Sequence, residues 1–294
     1  MALFLNERIL NRMACYRPVK RRPISGPPGG AWRSRRKGGA VEFADYRGYV
    51  PGDEPRRVDW KAYARLGRLY IKEFLDERQD SAIFLLDTSA SMDWGGAAHK
   101  GRFALHLAAG MAAAVLAGGD CLALAAAGGF FVAAGGPRSL PGVLKYLQDL
   151  GFSGGADPVK DLQAALAAVP GATSLYVFSD LLDPGSVEKL LSLSAGRSLE
   201  VTLLQVLTPE ERHPQGSGEW VLIDAETGAR VEVSLTPAVL LDYTRRLEEY
   251  LAGLDSRCRY WGARRILLDS GEDLEVTLFK SLPGLGVIRP RQGA

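Results

Sequence analysis

The segment Asp87-Thr88-Ser89-Ala90-Ser91 places one carboxyl and two hydroxyl groups at alternate positions of a D-x-S-x-S run. Alternate residues of a short extended turn point the same way, so Asp87, Ser89 and Ser91 can converge on one point. Hard oxygen donors so arranged suit Mg²⁺, which takes octahedral oxygen and keeps several waters. The same residues can instead cap a following helix, because an aspartate or serine just before a helix accepts from its first free amides. A second acid, in Ser179-Asp180, is also preceded by an apolar run, Leu175-Tyr176-Val177-Phe178.

Both acids follow segments that read as buried strands. Ala82 to Leu86 precedes Asp87, and from there short apolar runs alternate with helical patterns. Helices are predicted near 102–116, 141–150, 158–169 and 186–193, and strands near 122–126, 130–133, 174–178, 200–207 and 265–268. Such alternation predicts an α/β fold, a doubly wound and mostly parallel sheet covered on both faces, since each parallel crossover needs a helix. Ligands of open α/β sheets gather at the carboxyl ends of strands, which is where Asp87 and Asp180 both fall. Outside the alternation, Trp220 to Asp224 and Arg230 to Ser234 read as an inserted hairpin turning through Glu226-Thr227-Gly228. Thr236-Pro237 then opens an amphipathic helix to about Leu251.

Composition narrows the function. In 294 residues, 47% of them hydrophobic, there is enough apolar material for one large core and a smaller appendage. Cys15, Cys121 and Cys258 are odd in number and lack C-x-x-C spacing, which argues against a disulfide framework or a zinc knuckle. His99, His106 and His213 are scattered, so a histidine metal site is not indicated. Residues 1–80 carry 18 Lys/Arg against 10 Asp/Glu, and residues 81–294 carry 18 against 24. The excess of positive charge gathers in Lys20-Arg21-Arg22 and Arg33 to Lys37 around a Pro/Gly stretch, a basic arm that nucleic acid, an anionic surface or an acidic partner could use. The apolar runs 103–119 and 121–136 fall short of the roughly 20 residues a span requires, and read as a buried helix and strand pair. No secretory signal is evident, and cytoplasmic residence is the expectation.

Catalysis finds little support. Gly151-Phe152-Ser153-Gly154-Gly155 matches G-x-S-x-G, with Asp180 and His213 following in hydrolase order, but a nucleophile elbow needs a strand before Ser153. Val143, Leu144, Leu147 and Leu150 recur instead at helical spacing. A phosphate-cradling G-x-x-x-x-G-K-[ST] loop is also lacking.

Two segments carry a resemblance. Gly48 to Ala62, reading GYVPGDEPRRVDWKA and followed by Gly67 to Phe74, and Leu85-Leu86-Asp87-Thr88-Ser89-Ala90-Ser91-Met92 are similar to the bacterial von Willebrand factor A-like proteins of the domain-of-unknown-function-58 family. The resemblance covers roughly Glu42 to Ser270. It implies a metal-ion-dependent adhesion site, in which Asp87, Ser89 and Ser91 form the first loop and Asp180 the third. The second loop would be Ser153 to Asp157, where relatives usually carry threonine at the place of Ala156. That departure removes one oxygen, leaving Asp157 or a water as the substitute, or a metal-free site that keeps its capping hydrogen bonds. The resemblance further implies a partnership with MoxR-type AAA+ ATPases.

The expected molecule therefore has a basic, extended appendage over residues 1–80, a von Willebrand factor A-like domain over 81–282 with a hairpin at about 218–235, and a tail over 283–294. In the appendage, Arg56 and Arg57 are expected to pair with Asp53, Glu54 and Asp59, and Trp60 to anchor them. The expected function is non-enzymatic protein binding as an adaptor, through Mg²⁺ or another divalent cation held by Asp87, Ser89, Ser91, Asp180 and Asp157. Binding of nucleic acid or an anionic surface by the basic arm, and hydrolysis through Ser153, are the alternatives.

Overall fold

Along the chain of the computed structural model, which describes residues 5–20, 42–50, 58–75, 80–152, 154 and 157–291, the first elements are short. Helix α1 (Glu7–Ala14) starts at Asn6, whose side chain accepts from the Arg8 amide, and strand β1 (Tyr16–Pro18) follows. Strand β2 (Glu42–Gly48), helix α2 (Trp60–Leu66) and strand β3 (Tyr70–Leu75) come next. The remaining elements are β4 (Ser81–Leu86), α3 (Lys100–Ala117), β5 (Cys121–Ala126), β6 (Gly129–Ala133), α4 (Leu140–Gln148), α5 (Pro158–Ala168), β7 (Ser174–Ser179), α6 (Pro184–Gly196) and β8 (Glu200–Leu207). After them lie α7 (Pro209–Arg212), β9 (Gly218–Ile223), β10 (Arg230–Leu235), α8 (Pro237–Trp261), β11 (Arg264–Asp269), short helical turns from Leu274 to Gly284, and β12 (Ile288–Pro290).

The chain divides into two units, Met1–Pro23 with Asp80–Ala294, and Ile24–Gln79. In the larger unit a six-stranded sheet runs β11-β8-β7-β4-β5-β6, parallel except for β6, which pairs antiparallel with β5. This is the α/β, doubly wound, mostly parallel sheet that the alternation predicts. Side chains on β4 alternate between two cores: Phe84 and Leu86 pack with α1, α3 and α4, while Ile83 and Leu85 pack with α5, α6 and α8. Each such side chain, fully withdrawn from water, stabilises the sheet by roughly 1.5–3 kcal/mol.

Helix α3 is buried on nearly every side, from Lys100 to Leu116, because the sheet lies under it and α1 and the turns after Leu274 lie over it. Its small residues permit that closeness; a Cβ at Gly110 would stand 3.0 Å from Leu278. An all-round apolar surface is what an interior helix requires. Among the described residues no helix is long and apolar enough to cross a membrane.

The boundaries differ from the sequence reading at both ends. The described residues 5–20 belong to the larger unit rather than to an appendage over 1–80, and of the expected tail over 283–294 the described residues up to 291 include β12, which pairs with β1. Leu10 and Met13 of α1 bury against α3, which closes the arrangement from its amino-terminal side. Helix α8 continues ten residues beyond the expected end, to a left-handed cap at Gly262. The hairpin β9–β10 stands as predicted, and among the described residues its strands pair only with each other.

In the smaller unit β2 pairs antiparallel with β3. Asp59 caps α2 by accepting from the amides of Lys61 and Ala62, and Gly67 closes the helix in the left-handed conformation. Trp60 does not anchor the segment: it is 60% exposed and meets Tyr63 edge-on. Asp53, Glu54, Arg56 and Arg57, with their expected pairing, lie outside the described residues, as does the basic arm from Arg21 to Lys37. Lys20 is described; it pairs with Asp80, and burial lowers its pKa.

Candidate functional site

Strands β4 and β7 are neighbours, and the chain leaves β4 through α3 toward β5 on one side and returns through α5 to β7 on the other. Their carboxyl ends therefore border a switch point of the sheet, where the loops diverge and leave a crevice. Asp87 leaves β4 with its amide bonded to the Phe178 carbonyl of β7 at 2.9 Å. Asp87 Oδ1 accepts from the Ser89 amide at 2.9 Å, and Oδ2 accepts from the Ser179 hydroxyl. The hydroxyls of Ser89 and Ser91 lie 2.9 Å apart.

Capping does not consume these serines. The 3₁₀ turn Ala90–Met92 receives no side-chain cap from Ser89, and α3 is capped by His99, whose Nδ1 accepts from the Arg102 amide at 3.3 Å. With Nδ1 accepting, His99 Nε2 carries the proton and donates to Asp93 Oδ1 at 2.8 Å. The turn is pressed into place by a close approach: a Cβ at Gly101 would stand 2.4 Å from the Phe152 ring and 2.7 Å from the Met92 carbonyl oxygen.

The loop after β7 is braced from three sides. Ser179 Oγ accepts from the Leu181 amide at 2.9 Å, which holds Leu181 in the left-handed region at φ +54°. The Tyr250 hydroxyl of α8 donates to the Leu181 carbonyl. Gln205, fully buried, donates to the Asp180 carbonyl at 2.7 Å and accepts from Arg265 Nη1 at 2.7 Å; Arg265 in turn grips Asp255 through two bonds of 2.7 Å. A non-glycine residue in that conformation stores about 1–3 kcal/mol, which these bonds offset.

Asp180 carries its own counter-ion. Its Oδ2 accepts from Lys100 Nζ at 2.7 Å and its Oδ1 from the Leu182 amide at 3.2 Å. The side chains of Lys100 and Asp180 are 1% and 5% exposed, and the ammonium also reaches Glu211 Oε1 at 2.6 Å. Glu211 closes a capping box at α7, accepting from the Thr208 amide while its own amide bonds to Thr208 Oγ1.

Asp87, Ser89, Ser91 and Asp180 line a single cavity of about 500 Å³, with Ser179, Asp183, Asp224 and Glu226 around them and Leu85, Val177 and Leu190 among its apolar walls. The Ser186 hydroxyl holds the Asp183 carboxyl below its usual range, and the Thr227 hydroxyl does the same for Asp224. The rim is thus anionic at neutral pH, a field that gathers cations.

Asp157 is not brought to this cavity. It is the N-cap of α5, accepting from the Val159 and Lys160 amides and pairing with Lys160 Nζ at 3.1 Å, which lowers its pKa. An aspartate followed by proline at the first helical position is a cap signature, and here that role takes the carboxylate expected as a substitute ligand. Ser153 and Ala156 lie outside the described residues. The element preceding Ser153 is α4, a helix ending at Gln148.

The donor set suits a small hard cation. Two cis ligands about 2.0–2.1 Å from an octahedral Mg²⁺ stand roughly 2.8–3.0 Å apart, a spacing that the two serine hydroxyls, hydrogen-bonded to each other at 2.9 Å, already have. Asp180 is already paired with Lys100. Among the described residues no three His, Cys, Asp or Glu side chains form a cluster, so an ion here would lean on hydroxyls and water. Lys100, Ser179, Gln205, Glu211 and Glu226 are not marked as site residues by the sequence, which places Ser179 only beside Asp180 and Glu226 only in a turn; Thr208-x-x-Glu211, a capping-box pattern, leaves a local signal.

Comparison with known proteins places the chain in a family. The family model described as "Protein of unknown function DUF58" matches residues 45–250. Uncharacterized proteins of Mycobacterium tuberculosis and Mycobacterium bovis are 29% identical over 248 residues, covering 80% of this chain and 77% of theirs. Among solved structures, BatB from Bacteroides thetaiotaomicron is 14% identical, covering 65% of this chain and 90% of that one, with a TM-score of 0.38. An aerotolerance-related membrane protein from Bacteroides fragilis is 15% identical over 70% of this chain and 97% of that one, at 0.40. The VWA domain of SpRpn10 is 12% identical over 70% and 96%, at 0.37.

Proposed function

The chain belongs to the DUF58 family and folds as a doubly wound α/β sheet, and from that premise we propose that it is a non-enzymatic, von Willebrand factor A-like adaptor that binds an acidic side chain of a partner protein at the β4/β7 crevice. Asp87, Ser89 and Ser91 would hold a divalent cation, Mg²⁺ first, with Asp180 at longer range. When bound, the cation would supply an open coordination position for a partner's carboxylate. The observation that carries this reading is the convergence of two separate loops: Asp87 and Asp180 line one cavity with two serine hydroxyls that cap no helix.

The chain's own residues do the positioning. Ser179 orients the Asp87 carboxylate, and Lys100 together with Gln205 fixes Asp180 from either side of the loop. Lined by acids and hydroxyls around an apolar floor, the crevice repels a partner's free carboxylate, and a bound cation would offset that repulsion, which makes binding switchable. A MoxR-type AAA+ ATPase is the partner proposed, on the family resemblance. Residence in the cytoplasm is proposed with it.

The test is retention of the purified ATPase on immobilised full chain, with Mg²⁺ and with EDTA, for the natural sequence and Asp87→Ala. Chelation and the substitution are each expected to lower retention about tenfold, the loss of one charge-assisted contact. Undiminished retention under EDTA and by a folded Asp87→Ala protein would refute the mechanism.

A further inference from the structure

The hairpin β9–β10 contributes a carboxylate to the crevice from far along the chain. Glu226 Oε1 accepts from the Ser91 amide at 2.9 Å, a contact spanning 135 positions. Its other oxygen sits so near the second loop that a Cβ at Gly154 would come within 3.2 Å of it, and Gly154 adopts φ +76° there. Glu226 and Asp224 both line the cavity that holds Asp87, Ser89 and Ser91.

The turn is shaped to present this side chain. Asp224 Oδ1 accepts from the Glu226 amide at 3.1 Å and from the Thr227 amide and hydroxyl at 2.6 and 2.7 Å, and Gly228 takes the left-handed conformation that closes the loop. Every residue of β9 is exposed, and the two strands pair only with each other among the described residues. In β10 only Val233 and Leu235, away from the turn, are half-buried, so the core does not enclose the hairpin tip, where Glu226 contacts Ser91. Seating Glu226 also adds a carboxylate to a cavity that already contains Asp87 and Asp180, a repulsion that keeps the seat reversible.

We infer that Glu226 is an in-chain acidic ligand of the D-x-S-x-S loop, seated where an acidic side chain of a partner docks, so that a partner engages the crevice by lifting the hairpin tip. The seating of Glu226 stands on the contacts above; the displacement by a partner rests on the proposed reading of the crevice. The ligand class follows from the chemistry of the seat: one carboxylate on a flexible stem, Asp or Glu, meeting the Ser91 backbone amide.

The experiment has two arms on the full chain, natural and Glu226→Ala, with folding checked by circular dichroism. Without added metal, amide exchange at Ser91 and across 224–228 is expected to be about tenfold faster in Glu226→Ala, the loss of one hydrogen bond. Equal exchange overturns the seat. With Mn²⁺ added, acetate serves as the free carboxylate, and relaxation of its methyl protons by site-bound Mn²⁺ is expected to be roughly threefold stronger or more in Glu226→Ala, where the seat is vacant. Equal relaxation in the two proteins overturns displacement. If acetate is relaxed in neither, the cation-bridged capture proposed above fails and takes displacement with it, while the exchange arm still decides the seat alone.

Discussion

Replacing Lys100 with methionine is the sharpest physical test of the crevice. The ammonium lies 2.7 Å from Asp180 and 2.6 Å from Glu211, with 1% of its side chain exposed, so it is the countercharge for two carboxylates that water barely reaches. Methionine keeps the stem's packing and removes the charge. Breaking a buried pair from one side costs about 3–5 kcal/mol, because the remaining charge stays desolvated and unpaired. Here the upper half of that range is expected, since two acids lose one partner, offset in part by the 19% exposure of Glu211. At about 2–4 °C per kcal/mol for a unit of this size, the midpoint of thermal unfolding should fall by roughly 8–20 °C. Urea titration followed by circular dichroism measures the free energy directly. The control is Lys100→Met combined with Asp180→Asn and Glu211→Gln, whose neutral amides should restore most of the loss. A single substitution that costs less than about 1 kcal/mol, or a triple variant as unstable as the single, would refute the reasoning.

Three further outcomes follow from the surrounding packing. Gly101→Ala should destabilise by about 1–3 kcal/mol in urea, because its Cβ meets the Met92 carbonyl and the Phe152 ring below contact distance, and backbone cannot step aside as a side-chain tip can. Gln205→Met should cost about 1–3 kcal/mol, since the Asp180 carbonyl loses its donor and Arg265 an acceptor, and should weaken Mn²⁺ binding measured by calorimetry. Asp161, buried and bonded to the Gly128 amide, has its pKa raised by that burial, so its charge costs stability above the folded pKa and the cost vanishes as pH falls through it. Asp161→Asn keeps the acceptor and removes the charge, so its advantage over the natural protein in urea midpoints should be present at pH 7 and fade toward pH 4.

The fold was legible wherever one element carried a full period of pattern. Strands such as Ile83 to Leu86 and Leu175 to Phe178 pack hydrophobic side chains on both faces, which is what a covered parallel sheet requires. The pairing of β1 with β12 was not legible, because three residues carry no periodicity and their partners lie at opposite ends of the chain. Helix α8 was cut short because its carboxyl half turns polar after Leu251, with only Leu254 and Cys258 buried; the stop signal was Gly262. Asp87 and Asp180 could be placed in one crevice by strand-end logic alone, yet their partners could not. Lys100 and Glu226 act across 80 and 135 positions, and a lysine at a helix start or a glutamate in a turn has no local mark that names such a partner. Asp157 shows the converse, a residue whose cap signature was visible and whose carboxylate that cap consumes.

Lys100 also decides what the fold asks of a metal. An aspartate as buried as Asp180 would otherwise need a cation to be tolerated, and the crevice would fold only when loaded, as small metal-dependent domains do. With the ammonium supplied from α3, Asp180 is satisfied without any ion, and the group left for one is Asp87 with the two hydroxyls. Such a site ties little of the folding free energy to occupancy: an ion present at its own dissociation constant stabilises by only about 0.4 kcal/mol. Adding EDTA should therefore move the unfolding midpoint by no more than about 2 °C while lowering retention of the partner about tenfold. A large drop on chelation would mean that the ion is structural and that Lys100 does not do the work assigned to it. The separation matters for function, because only a site whose occupancy is free to vary without unfolding the protein can serve as a switch for recognition.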